Sequence, residues 1–94
     1  MEGEVKMQHL NIKMEIFKED DSYVALCPSL NVSSFGETME EAKASLVEAV
    51  EAFVEECAEM GTLEEILEES GYVRTDQDWL PRQAVSEERV ALPI

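Results

Sequence analysis

The residues able to carry chemistry are few and scattered. They are one histidine, His9, two cysteines, Cys27 and Cys57, and two aspartate clusters, Asp20-Asp21 and Asp76-Gln77-Asp78. A zinc site draws His and Cys ligands in pairs at short spacing, and His9 has no such companion. Both aspartate clusters fall in turn-like segments without a histidine beside them. There is no glycine-rich phosphate loop, no Gly-x-Ser-x-Gly elbow, and no nucleophile spaced with a base. A metal-dependent hydrolase is therefore the remotest reading. The expectation is a non-enzyme with no catalytic residue, no metal and no cofactor. Cys27 and Cys57 sit far apart in apolar patterns, which predicts two buried free thiols, because two such cysteines make no disulfide framework.

Charge is the chain's most unusual property. In 94 residues, 22 Asp and Glu face 7 Lys and Arg, for a net charge of −15. Such a surface repels phosphate backbones and anionic lipid, so neither direct nucleic-acid binding nor membrane binding is expected. Its natural complement is a cationic partner, which opposite fields draw in and orient. The alternative is that the charge serves solubility alone. No apolar run is long enough to span a bilayer. Met1-Glu2-Gly3-Glu4 lacks the basic and apolar regions of a signal peptide, so a cytoplasmic location is expected.

The length suits a single domain over residues 1–94. It supports one modest core, which dimerisation would extend. Leu10, Ile12, Met14 and Ile16 alternate with Asn11, Lys13, Glu15 and Phe17, the period of a half-buried strand. Lys18–Ser22 reads as a hairpin connection. Tyr23–Cys27 is apolar on both faces and reads as an interior strand that Pro28 ends. Val32–Phe35 is a short third strand, and Gly36 lets the chain turn out of it. Thr38-Met39-Glu40-Glu41 is a capping-box pattern, with Thr38 and Glu41 expected to satisfy each other's amides. Ala42, Leu46, Ala49, Val50, Phe53, Cys57 and Met60 then form one apolar stripe, predicting a helix over about 39–60 that Gly61 stops. Thr62-Leu63-Glu64-Glu65 repeats the box and predicts a short second helix closed by Gly71. Residues 72–87 read as loop, with Trp79 as a lid over the small core or an interface anchor. Residues 88–94 read as a terminal strand on Val90, Leu92 and Ile94, held to an edge by Pro93. Three strands, a long helix, a short helix and a last strand indicate an α+β fold: an antiparallel meander with the helix on one face.

The run from Tyr23 to Ala42 resembles the central signature of HicB-like antitoxins. Tyr23, Val24, Ala25, Cys27, Pro28, Leu30, Gly36, Thr38, Glu41 and Ala42 match its aromatic-V-A strand, its Pro-x-Leu turn and its G-x-T-x-x-E-A helix start. Leu46, Glu48 and Ala49 are similar to the family's L-x-E-A. The resemblance covers roughly residues 8–71. It implies a partial ribonuclease-H-like sheet without the nuclease site. It also implies a role: covering a small basic HicA-type toxin that cleaves messenger RNA, and so masking its active surface. Two departures stand out. Nothing after Gly71 has room for the DNA-binding region of many relatives, and Asn31–Ser34 lacks the P-G-C that often follows the leucine.

The candidate partner contacts are Tyr23, Ser29, Asn31, Ser33 and Phe35 along the signature, with Glu51 and Glu55 on the long helix. That helix carries Glu40, Glu41, Glu48, Glu51, Glu55, Glu56 and Glu59 against Lys43 alone, several as like-charged i,i+4 pairs that each cost a few tenths of a kcal/mol. Either a basic companion or a solvated face accounts for them. The alternative function is an orphan module of the same fold given to self-association as a dimer or tetramer.

Overall fold

The computed structural model describes residues 8–94, so the acidic start Met1–Glu4 lies outside the described residues. The fold is α+β. Its elements are β1 (His9–Leu10), β2 (Glu15–Glu19), β3 (Ser22–Cys27), β4 (Val32–Gly36), α1 (Met39–Met60), α2 (Leu63–Glu69), β5 (Val73–Arg74) and β6 (Asp78–Leu80). They form two small sheets, β2-β3-β4 and β1-β6-β5. The first is an antiparallel meander. In the second, β1 runs parallel to β6, and β5 pairs antiparallel to β6.

The alternating segment from Leu10 to Ile16 is one strand by periodicity and two in the structure. Its apolar members Leu10, Ile12, Met14 and Ile16 all pack on the core, as the alternation requires. The ladder breaks between them for want of partners. Glu15 pairs with Leu26, so continuing that register would set Lys13 against Pro28. Leu10 pairs with Trp79, so continuing that one would set Ile12 against Pro81. Proline lacks the N–H a ladder needs, and the two prolines leave 12–14 without a neighbour on either side.

The β2–β3 connection is tighter than expected. Glu19 and Ser22 are paired, leaving Asp20-Asp21 as the turn, with Asp20 at φ 54°. Aspartate tolerates that left-handed geometry better than most residues. β3 ends at Pro28, and Asn31 (φ 57°) closes the next turn by donating its N–H to the Pro28 carbonyl at 3.2 Å.

α1 matches its predicted span. The Thr38 hydroxyl accepts from the Glu41 N–H at 3.0 Å, while the Glu41 carboxylate reaches the Glu37 amide at 2.9 Å instead of the Thr38 amide. In this shifted box one orphan donor of the helix's first turn is satisfied, and so is the amide just before the cap. At the other end Gly61 adopts φ 75°, its N–H meets the Ala58 carbonyl at 3.1 Å, and the Thr62 N–H meets the Cys57 carbonyl at 2.9 Å. That is a Schellman closure. It also explains why the second capping box does not form: the Thr62 hydroxyl donates back to the Cys57 carbonyl at 3.4 Å and makes no cap for α2. Met60, placed on the apolar stripe by spacing, projects past the packed turns and is exposed.

The chain's last quarter departs most from expectation. Residues 72–87 contain β5 and β6 instead of loop, and 88–94 forms no strand. The 75–78 turn builds the hairpin: the Thr75 hydroxyl bonds both the Asp78 carbonyl (2.9 Å) and the Asp78 N–H (3.1 Å). Strands of two and three residues are too short to show alternation. Beyond β6, Pro81 stops the ladder, and Val90, Leu92 and Ile94 find no pairing among the described residues.

The core lies between α1 and one face of β2-β3-β4. Ala25 and Cys27 from β3, Leu30, Ala42, Leu46 and Val50 from α1, Leu67 from α2, and Tyr72 and Trp79 form one buried cluster. It therefore reaches past residue 71 to Trp79, which is a core residue. Cys27 and Cys57 are both buried free thiols. No helix among the described residues is long and apolar enough to cross a membrane.

The helix is brought down onto the sheet by small residues. A Cβ on Gly36 would stand 2.6 Å from the Ala42 nitrogen and 2.8 Å from the Glu41 carbonyl carbon, both rigid backbone. Three substitutions grade this architecture. Leu46→Ala should cost about 2–5 kcal/mol by opening a core cavity, Gly36→Ala about 1–3 by overpacking, and Thr38→Ala about 1 by uncapping α1. Urea denaturation reads all three, and a neutral Gly36→Ala would mean the strand-to-helix approach can relax.

Candidate functional site

The β2-β3-β4 register decides which side chains share the face away from α1. Residues directly opposite on neighbouring strands lie on the same face. Phe17, Val24 and Phe35 stand in one row across the three strands, and Glu15, Leu26 and Ser33 in the next. Ile16, Ala25 and Ser34 form the alternate row, on the α1 side. The outer face is thus an aromatic row that the described residues leave open: Phe17 is 51% and Phe35 72% exposed, with Val24 and Leu26 half-buried between and beside them. Glu15 and Glu19 belong to the same face, and Asp20, Asp21 and Glu37 follow at the strand ends, all exposed. An apolar centre with a polar, charged rim is the usual build of a protein-binding surface.

A second concave region lies between β1 and α1. Leu10 and Ile12 form one wall, Val47, Val50 and Val54 the other, and His9, Glu51 and Glu55 stand around it, enclosing about 650 Å³. His9 Nδ1 lies 3.5 Å from the Asp78 carboxylate; His9 is largely exposed and Asp78 half-buried. A smaller hollow of about 370 Å³ holds Ser29, Ser70, Lys13 and Arg82, with no histidine beside either serine. Among the described residues no three His, Cys, Asp or Glu side chains come together as a metal site would require.

The residues singled out by sequence go to different places. Ser33 and Phe35 lie on the outer sheet face, where Phe17 and Val24 join them. Tyr23, expected to be exposed, is half-buried and packs against the core, because its row lies on the α1 side. Ser29 has a structural bond: its hydroxyl and that of Tyr72 are 2.6 Å apart, and Cys27 Sγ is 3.6 Å from the same serine oxygen. Asn31 is the left-handed turn residue. Glu51 and Glu55 flank the β1–α1 groove, remote in sequence from the other five. The aromatic row was missed in part, since Phe17 sits in the polar register of its strand. That misplaced aromatic was itself the available signal.

Trp79 is sealed by Arg74, whose guanidinium carbon lies 5.8 Å from the ring centroid and which also reaches the Glu64 carboxylate at 3.3 Å. The cation–π contact holds the short β5-β6 hairpin over the core. The ion pair is exposed and adds little.

No family model matches the chain, and no curated protein or solved structure matches it.

Burial pushes the Tyr72 phenol above its ordinary value of 10.0, the Ser29 hydrogen bond partly offsets this, and the nearby Cys27 thiol adds to the rise. The fold therefore favours the neutral phenol. That stabilisation is whole below pH 10 and is lost as pH climbs through the raised value. Tyr72→Phe should cost about 1 kcal/mol at neutral pH and remove this part of the alkaline instability. Thermal melts of both proteins across the alkaline range check it; parallel curves would contradict it.

Proposed function

We propose that this chain is a cytoplasmic binding protein of the HicB-like antitoxin type, which neutralises a small basic HicA-type toxin by covering its RNA-cleaving surface. The observation that carries the reading is the open row Phe17–Val24–Phe35, set in an acidic rim on a sheet face that no element among the described residues covers. The sequence signature between Tyr23 and Ala42 supports the family, and the meander followed by a long helix agrees with the topology that signature implies.

The physics of the complex has two parts. A net charge of −15 draws a cationic partner and orients it, acting mainly on the association rate. The aromatic row then supplies affinity, since aromatic side chains desolvated at an interface centre dominate binding energy. A basic ribonuclease needs its cations free to hold RNA phosphate. A protein that occupies those cations with carboxylates competes directly with the substrate and needs no catalysis or cofactor.

Binding of a purified HicA-type toxin, measured by calorimetry and by protection of messenger RNA from cleavage, tests the reading. Phe35→Glu should lower affinity by roughly 2 kcal/mol or more, about thirtyfold. It should leave stability within about 0.5 kcal/mol, because the side chain is exposed. Added salt should slow association. Undiminished cleavage at saturating amounts of this protein would defeat the proposal.

A further inference from the structure

The C-terminal segment and the β1–α1 groove are each incomplete, and they match. Val90, Leu92 and Ile94 recur at every second residue, the pattern of a strand with one apolar side. Yet Val90 is 72% and Leu92 75% exposed, Ile94 wholly so, and residues 81–94 make no sheet or helix. Such a segment has the signature of a strand whose partner lies elsewhere. The groove has the opposite defect. Leu10, Ile12, Val47 and Val54 line an open hollow of about 650 Å³ that none of the described residues fills.

We infer that the segment Arg89–Ile94 of one copy docks in the β1–α1 groove of a second copy, reciprocally, to give a two-fold dimer. Size, polarity and charge each support the match. An extended segment from residue 90 to 94 spans about 13 Å. The α1 wall from Val47 to Val54 is about 10 Å long. Three aliphatic side chains on one side of the segment meet an aliphatic floor. Arg89, immediately before the triplet, is the sole cation beyond Arg82. The groove's carboxylates are Glu51 and Glu55. Glu87 and Glu88 precede the docked stretch and stay outside it.

The second copy follows from the arrangement of the first. Val90, Leu92 and Ile94 are exposed, and no residue of its own 81–94 segment lines the groove. One chain then carries donor and acceptor alike, and mutual exchange closes as a dimer with no surplus binding site. This inference does not depend on toxin binding, which uses the outer face of β2-β3-β4. The two associations also respond oppositely to salt. Two chains of −15 each repel, so screening tightens the dimer, while it weakens attachment of a basic protein.

Sedimentation of the full chain tests the exchange. The wild type should run as a two-chain species whose dissociation constant falls with added salt. Leu92→Glu damages the tail and Val47→Glu the groove; both side chains are exposed, so circular dichroism should be unchanged. Each variant alone should dissociate at least about tenfold more readily. An equal mixture should recover heterodimers, because one intact tail then meets one intact groove. A monomeric wild type, variants that stay dimeric, or a mixture without recovery would each overturn the exchange.

Discussion

The constraint on which the structure depends is the close approach of α1 to β4 and β3. The chain leaves the sheet at Gly36 and begins the helix at Met39, with only Glu37 and Thr38 to turn. It can do so because Gly36 presents no side chain to the backbone at Glu41 and Ala42, and because Ala25 and Ala42 are small where the layers meet. The helix is consequently seated mainly over β3 and β4, and much less over β2. One face of the meander becomes core, and the opposite face is left to the aromatic row. The flank of α1 beyond the meander is uncovered too and forms the groove against β1. Both open surfaces thus trace to where a single glycine allows the helix to land.

The charge distribution follows a similar logic of incompleteness. All seven glutamates along α1 are exposed. Among the described residues the ion pairs are Arg74 with Glu64 and His9 with Asp78, neither of them buried. The core itself holds no charged group. Electrostatics therefore contribute little to the fold and remain available to act on other molecules, over distances set by ionic screening. Stability rests on apolar burial around Leu46, Leu67 and Trp79, on well-formed helix ends, and on the Ser29–Tyr72 bond that ties the β3–β4 turn to the chain after α2.

Legibility in the sequence varied with the length scale of the signal. The long helix was readable because 22 residues of 3.6 periodicity lie between an N-cap threonine and a C′ glycine, and each signal confirms the others. The interior strand and its end at Pro28 were readable from composition. The split of β1 from β2 was not, since it depends on Pro28 and Pro81 arriving opposite residues 12–14, a fact of three-dimensional register. The β5-β6 hairpin was hidden for a related reason: its strands are shorter than one period pair, and its anchors Tyr72 and Trp79 are distant from the core they join. Val90, Leu92 and Ile94 show the converse. Their alternation is real, but alternation reports a need for a partner and not the partner's location. The outer face was half legible: Phe35 was marked by its place in the signature, whereas Phe17 and Val24 emerged only when pairing set them in its row.

The central claim is that the uncovered sheet face is the surface this protein uses to hold a basic ribonuclease toxin. Backbone amide shifts of the isotopically labelled chain, followed during titration with an unlabelled HicA-type toxin, address it most directly. The account predicts changes concentrated at Glu15, Phe17, Val24, Ser33 and Phe35. A titration without changes, or with changes confined to the acidic side of α1, would contradict it.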